Sequence, residues 1–139
     1  MKSYPILAAL TLGAAFAAPL SAISPKVTLT AALAGTNEPA GGDADGTGSF
    51  SAMVDVGNGD FCYALKADKI AAATMAHVHS GAAGTNGPPV VTIALTDDNC
   101  MAVEPDVLKA MIAHPENYYV NIHNAEFPAG AIRGQLQMK

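Results

Sequence analysis

The sequence predicts an all-β protein: a Greek-key β-sandwich or a flattened β-barrel of seven to eight strands with one short helix. Apolar and polar residues alternate over short segments, as they do in strands that bury one face. Turn-forming Gly, Pro, Asn and Asp recur about every ten residues, which is typical of short strands joined by tight connections. Only one segment places its apolar residues at helical spacing instead.

The strand predictions follow this alternation along the chain. In the first strand, Val27, Leu29, Ala31 and Leu33 alternate with polar or small residues. The sequence Gly57-Asn58-Gly59 is typical of a hairpin turn between the second and third strands. The predicted strands cover residues 26–34, 47–55, 61–65, 72–79, 90–95, 118–123 and 131–138.

The single helix is predicted over 105–113. Pro105 suits the first helical turn, where its missing N–H costs nothing. Val107, Leu108, Met111 and Ile112 then recur at helical spacing. The polar residues 98–104 show neither periodicity, so we expect an irregular segment there.

Residues 1–22 are predicted to form a secretory signal peptide. Lys2 provides a short positive region, residues 6–18 are apolar, and Leu20-Ser21-Ala22 resembles a cleavage site. An uncleaved membrane anchor is the alternative, but the apolar run is shorter than the ~20 residues that span a bilayer. We therefore expect a periplasmic or extracellular protein whose single domain covers residues 23–139.

The charge of the exported part excludes some classes of partner. Once Lys2 is removed with the signal, twelve acidic and six basic residues remain, a net charge of −6. Such a chain, with Arg133 as its one arginine, is a poor nucleic-acid binder. No basic amphipathic stretch indicates membrane binding after signal cleavage, and the oligomeric state stays open, a homodimer included.

The two cysteines, Cys62 and Cys100, favour one disulfide. Export and an even cysteine count are typical of disulfide-bonded proteins. The alternative is a pair of metal-binding thiolates, although neither cysteine sits in a CxxC motif.

Three of the four histidines form a candidate metal site. His77 and His79 lie on one predicted strand and point to the same face, about 6.6–6.8 Å apart at Cα. His123 lies on the polar face of another strand, and three imidazoles suit copper or zinc. His114 follows the helix and is expected to be a solvated loop residue.

Two segments resemble the signatures of the CHRD (chordin) domain. The first comprises AHVHSG at 76–81 with NGPPVV at 86–91, and the second comprises NYYVNIHN at 117–124 with FPAGAIRGQL at 127–136. The resemblance spans nearly all of the exported chain and implies an all-β, immunoglobulin-like or barrel-like domain. It does not imply an activity.

The sequence His77-Val78-His79 also resembles the copper-binding HVH of copper/zinc superoxide dismutases, which are Greek-key β-barrels. That family's zinc-ligand loop has no counterpart in this chain, and no bridging fourth histidine is evident. The resemblance implies a copper-only site, with one copper per chain and zinc disfavoured, that acts on superoxide.

Arg133, Tyr119 and Asn121 are the candidate supporting residues. Arg133 lies ten residues after His123 and is the candidate catalytic residue, attracting the small anion; pairing with a carboxylate such as Glu126 or Asp98 is the alternative. Tyr119 shares the face of His123 and either lines the site or packs in the core. Asn121 is expected to hold the second nitrogen of a ligand imidazole.

Three functions remain open from the sequence. The first is an exported copper superoxide dismutase, the second a periplasmic copper carrier or buffer without turnover, and the third a non-catalytic adhesion or protein-binding module. The methionines do not form the MxxM cluster that a copper carrier would favour. Met75 is in phase with His77 and His79, yet a core or rim methionine is the simpler interpretation.

Overall fold

A computed structural model describes residues 25–139, so the predicted signal peptide at 1–22 lies outside the described residues. Within this range the chain forms nine strands, one α-helix and two short 3-10 turns. The strands are β1 Val27–Ala34, β2 Thr47–Asp55, β3 Asp60–Asp68, β4 Ala73–Ser80, β5 Pro89–Ile93, β6 Asp98–Ala102, β7 Tyr118–Asn124, β8 Ile132–Gln135 and β9 Gln137–Met138. The helix α1 covers Pro105–Ala113, and the 3-10 turns cover Gly35–Asn37 and Pro115–Asn117.

The all-β prediction is confirmed, and α1 has the predicted bounds. The prediction of an irregular segment at 98–104 was wrong, because Asp98–Ala102 pairs antiparallel with β3. The last strand, predicted as continuous, is divided at Leu136. The Leu136 N–H donates to the carbonyl of Tyr118 on β7, and the next residue, Gln137, pairs with Thr30 on β1.

The strands form one antiparallel sheet in the order β5-β4-β7-β8-β1-β2-β3-β6, with β9 added beside β1. Laid flat, eight strands about 4.8 Å apart would hold the two outermost strands about 34 Å from each other. Those strands, β5 and β6, are consecutive in the chain, and the Cα steps from Ile93 to Asp98 span at most about 19 Å. The sheet must therefore curl until its edges approach, which gives the predicted flattened barrel.

The core fills the inner, concave face of this curled sheet. Alternate residues of each strand point inward, as the period of two requires, and α1 adds Leu108 and Met111. The largest buried apolar side chains are Phe50, Phe61, Leu29, Leu108, Met111, Ile122, Ile132 and Leu136. In the part of the chain that the structure covers, no helix has both the length and the apolar character needed to cross a membrane.

On β7, both faces of the strand are buried. Val120 and Ile122 enter the core, while Tyr119, Asn121 and His123 point to the outer face and are buried as well. Their burial indicates that loops cover the outer face of the sheet at this point. This covered patch is where the predicted site residues meet.

The predicted disulfide between Cys62 and Cys100 is confirmed. The two residues lie directly opposite each other on β3 and β6, and no cysteine is left free as a thiolate. The bond holds β6, which forms one edge of the sheet, to its only neighbouring strand in the sheet order.

Replacing both cysteines by alanine should lower the free energy of unfolding by about 3–4 kcal/mol, because the bond closes a loop with a sequence separation of 38 residues. Urea denaturation of the wild type and the double variant measures the difference. If the free energy of unfolding decreased by less than about 1 kcal/mol, the disulfide would not be what holds the edge strand in place.

Candidate metal centre

His77, His79 and His123 converge on the outer face of the β4–β7 pair. His77 and His79 lie two residues apart on β4. Asn121 of β7 lies opposite His77, and His123 lies two residues further along β7, on the same face. One nitrogen from each of the three rings lies within 4.8 Å of the others. The strands thus bring together the three histidines that the sequence singled out.

Hydrogen bonds to backbone carbonyls fix which nitrogen of two rings carries the proton. Nδ1 of His79 donates to the carbonyl oxygen of Gly87 at 2.8 Å, and Nδ1 of His123 donates to that of Pro128 at 3.0 Å. Because a carbonyl oxygen only accepts, each ring keeps a lone pair on Nε2. Both Nε2 atoms are therefore prepared to bind a metal.

The third ring closes the cluster. Nδ1 of His77 lies 3.3 Å from Nε2 of His123. Since Nε2 of the neutral His123 ring has no proton, it can accept a hydrogen bond from Nδ1 of His77, or the two nitrogens can bind the same cation. Nε2 of His79 is buried and has no hydrogen-bond partner within residues 25–139, which is costly unless a ligand satisfies it.

Burial favours the neutral form of two of the imidazoles. The pKa of His77 is lowered by desolvation and further by the neighbouring His123 and His79. Desolvation also lowers the pKa of His79, and the bond to Gly87 opposes this effect only in part. Neutral imidazole is the metal-binding form, so the same burial that lowers these pKa values favours binding of a cation over binding of a proton.

A stack of three side chains supports His79. The Tyr119 ring lies parallel to the His79 ring, with 4.8 Å between centroids and 7° between planes. The guanidinium carbon of Arg133 lies 3.3 Å from the Tyr119 centroid. Tyr119 thus lies between Arg133 and His79. It lines the histidine cluster, and its packing holds the His79 ring in orientation.

Arg133 is 1% exposed, and its donors are used by a loop. The guanidinium donates to the carbonyls of Ala82 and Thr85 at 3.0 and 2.7 Å, and to the side chain of Asn86 at 3.3 Å. These partners replace the carboxylates of Glu126 and Asp98 that the sequence suggested. Whether Arg133 also attracts an anion stays a prediction.

The loop that Arg133 holds is the loop that orients His79. It runs from the end of β4 to Pro88 and contains Gly87, whose carbonyl receives the His79 proton. Gly87 is required at its position, because a Cβ there would overlap the carbonyl oxygen of Ser80. A chain of contacts therefore connects Arg133, through this loop, to Nδ1 of His79 and so to the orientation of its ring.

Asn121 and Glu38 lie behind the cluster. Asn121 is buried opposite His77, and its side-chain carbonyl oxygen, like Nε2 of His79, has no hydrogen-bond partner among the described residues. Glu38 follows the first 3-10 turn and is itself buried; desolvation raises its pKa, opposed by Arg133 and Asn121. The sequence did not single out Glu38, and no periodicity or motif in residues 35–46 indicates its burial.

His114 lies apart from the cluster, as predicted. It follows α1 on the surface, where its Nδ1 lies 3.3 Å from a carboxylate oxygen of Glu116.

A comparison with protein families places this site in a known domain. Residues 29–136, which include all three histidines of the cluster, match the family model described as the CHRD domain. The chain belongs to the CHRD-domain family. No curated protein and no solved structure matches it. Within this CHRD domain, both motifs quoted from the sequence supply walls of the same site, the first through β4 and its loop and the second through β7 and β8.

The stability of the metal-free CHRD domain should fall as the pH drops below about 6.5, where histidines of the unfolded chain take up protons. His77 and His79 take up protons only at lower pH in the folded state, so the unfolded state binds more protons in this interval. Urea denaturation between pH 7.5 and 5 in the presence of a chelator measures the slope. His79→Gln should flatten it and His114→Gln should not; equal slopes in both variants would contradict this origin.

Proposed function

We propose that this CHRD domain binds one copper ion per chain through Nδ1 of His77 and Nε2 of His79 and His123. The observation that carries the proposal is the buried Nε2 of His79, which has a lone pair and no hydrogen-bond partner among the residues that the structure describes. Histidines that bind a metal through one ring nitrogen usually donate the N–H of the other to a carboxylate, a backbone carbonyl or water, as His79 donates to Gly87.

The donor set favours copper over zinc. All three donors are imidazole nitrogens, and for nitrogen donors affinity rises to copper(II) and falls again at zinc. In the described part of the chain, no carboxylate or thiolate joins the group of residues that can reach a common ion. Three protein ligands also leave a coordination position for a small molecule, as catalytic metal sites do.

We infer that the protein works outside the cytoplasm, in the periplasm or the extracellular medium. The disulfide between Cys62 and Cys100 supports this, since such bonds persist in oxidising compartments.

We propose superoxide dismutation as the reaction of the copper form. Copper bound there would alternate between Cu(II) and Cu(I), so that two superoxide ions and two protons give dioxygen and hydrogen peroxide. The chain contributes fixed imidazoles, a covered site and a positive charge. Arg133 contributes this charge. Desolvation is the main cause of the lowered pKa of His79, and the charge of the buried Arg133 lowers it further, which supports a field that extends to the imidazoles. A positive field at the site favours entry of an anion.

His123→Ala should abolish stoichiometric copper binding, while His114→Ala should retain one copper per chain. The first change removes a donor nitrogen from the cluster, and the second alters an exposed histidine outside it. Metal analysis of protein loaded with copper and then dialysed measures both. Loss of copper in His114→Ala with retention in His123→Ala would overturn the site assignment.

Arg133→Met should lower kcat/KM for superoxide by about tenfold per bound copper, at the low end of the range for electrostatic steering. Arg133→Lys should keep most of the rate because it keeps the charge, and the loss in Arg133→Met should shrink as salt screens the field. Lys109→Met serves as the control, because Lys109 lies on α1, is exposed and pairs with Asp106.

Copper content is measured alongside the rate, because Arg133 also holds the loop that orients His79. If fully loaded wild type were no faster than His123→Ala protein at the same concentration, the copper would be stored or passed on. The carrier function would then replace the dismutase.

A further inference from the structure

Met75 is the one large apolar residue on the outer face of β4 beside the histidines. It lies two residues before His77 and directly opposite His123 in the β4–β7 pairing. Its side chain is 50% exposed, so burial in the core does not explain its presence. The two other methionines that are equally exposed, Met53 and Met138, lie on β2 and β9.

The distances that the pairing sets are short enough for the sulfur to reach the cluster. Directly opposite residues on antiparallel strands have Cβ atoms about 4.5–5.5 Å apart, and residues two apart on a strand are about 6.6–6.8 Å apart at Cα. A methionine side chain is unbranched and has three rotatable bonds to its methyl group. It can therefore turn its thioether toward His123 and His77.

A β-bulge lies beside Met75. The β4–β7 register shifts between Ala73 and Met75, so two steps along β4 match one step along β7. The hydroxyl of Thr74 donates to the carbonyl oxygen of His123 at 3.3 Å and holds the irregularity in place. Bulges re-aim side chains beside functional sites, and this one sets the side of the strand on which Met75 emerges.

We propose that the Met75 thioether binds copper(I), as a fourth ligand specific to the reduced state of the three-histidine site. The inference rests on the proposed copper function and goes beyond it by assigning a ligand to one oxidation state. Thioether sulfur is a soft donor that selects Cu(I), whereas imidazole nitrogen binds both states. Met75 therefore stabilises the reduced form of the site relative to the oxidised form.

Met75→Leu tests the assignment, since it keeps the size and apolar character of the side chain and removes the sulfur. Cu(I) affinity is measured anaerobically by competition with bathocuproine disulfonate, and Cu(II) affinity by competition with nitrilotriacetate. Cu(I) binding should weaken by at least about tenfold, the lower end of what losing a supporting group costs at metal sites. Cu(II) affinity should stay unchanged, so the reduction potential should fall by about 59 mV for each tenfold loss.

Met53→Leu is the matched control, because Met53 has the same exposure but lies on β2. It should bind both oxidation states as the wild type does. X-ray absorption of the Cu(I) forms should show one sulfur neighbour in the wild type and Met53→Leu, and none in Met75→Leu. Met75→Gln, which also lacks sulfur, should reproduce the Met75→Leu result.

Wild-type Cu(I) affinity in Met75→Leu, or a wild-type Cu(I) site without a sulfur neighbour, would overturn the role of Met75 and leave the histidine site intact. The same holds if the wild type binds Cu(II) but not Cu(I). A wild type that binds copper in neither state would overturn the proposed function itself, together with the inference that rests on it.

Discussion

The antiparallel pairing of β4 with β7 determines which of their side chains enter the core and which form the histidine cluster on the outer face. Through this pairing Ala76, Val78, Val120 and Ile122 enter the core, and the residues between them face outward. Because the period of a strand is two, a slip of one residue would exchange these faces. The apolar residues therefore fix the register, and the same register brings the histidines together.

The outer face of this pair is buried by side chains that sequence position alone does not bring together. Arg133, Tyr119 and His79 stack across three strands, and the loop after β4 closes over the guanidinium. A buried charge is costly unless its donors are paired, and the loop carbonyls satisfy this requirement. Arg133 thus holds the loop that orients His79 against the sheet that carries this histidine.

The placement of a site residue could be predicted where strand alternation determines it. It could not be predicted where packing between segments distant in the sequence determines it. Alternation alone placed His77, His79 and His123 on polar strand faces, and the apolar spacing gave α1 its bounds. Residues 98–102 lack a strand pattern, and they become β6 because β3 offers a free edge and Cys62 bonds to Cys100. Tertiary pairing there overrides local propensity.

The hydrogen-bond partners of Arg133 and the burial of Glu38 could not be predicted from the sequence. The sequence suggested carboxylates as partners of Arg133, because it reveals which side chains are charged but not where backbone carbonyls will lie. The actual acceptors include carbonyl oxygens of Ala82 and Thr85, whose placement depends on how the loop folds. Glu38 is likewise buried by chain segments remote from it, since Gly130 leaves the space that its carboxylate fills.

The candidate ligands differ in mobility, and this difference bears on the chemistry proposed for the site. His79 and His123 are fixed by carbonyl acceptors on their far nitrogens, so little reorganisation would accompany metal binding. Met75 is half-exposed, and nothing in the described hydrogen-bond pattern fixes its side chain. Rigid imidazoles would hold the ion in both oxidation states, while a mobile thioether would bind and release as the charge changes. Redox chemistry at such a site would require movement of one surface side chain rather than of the strands.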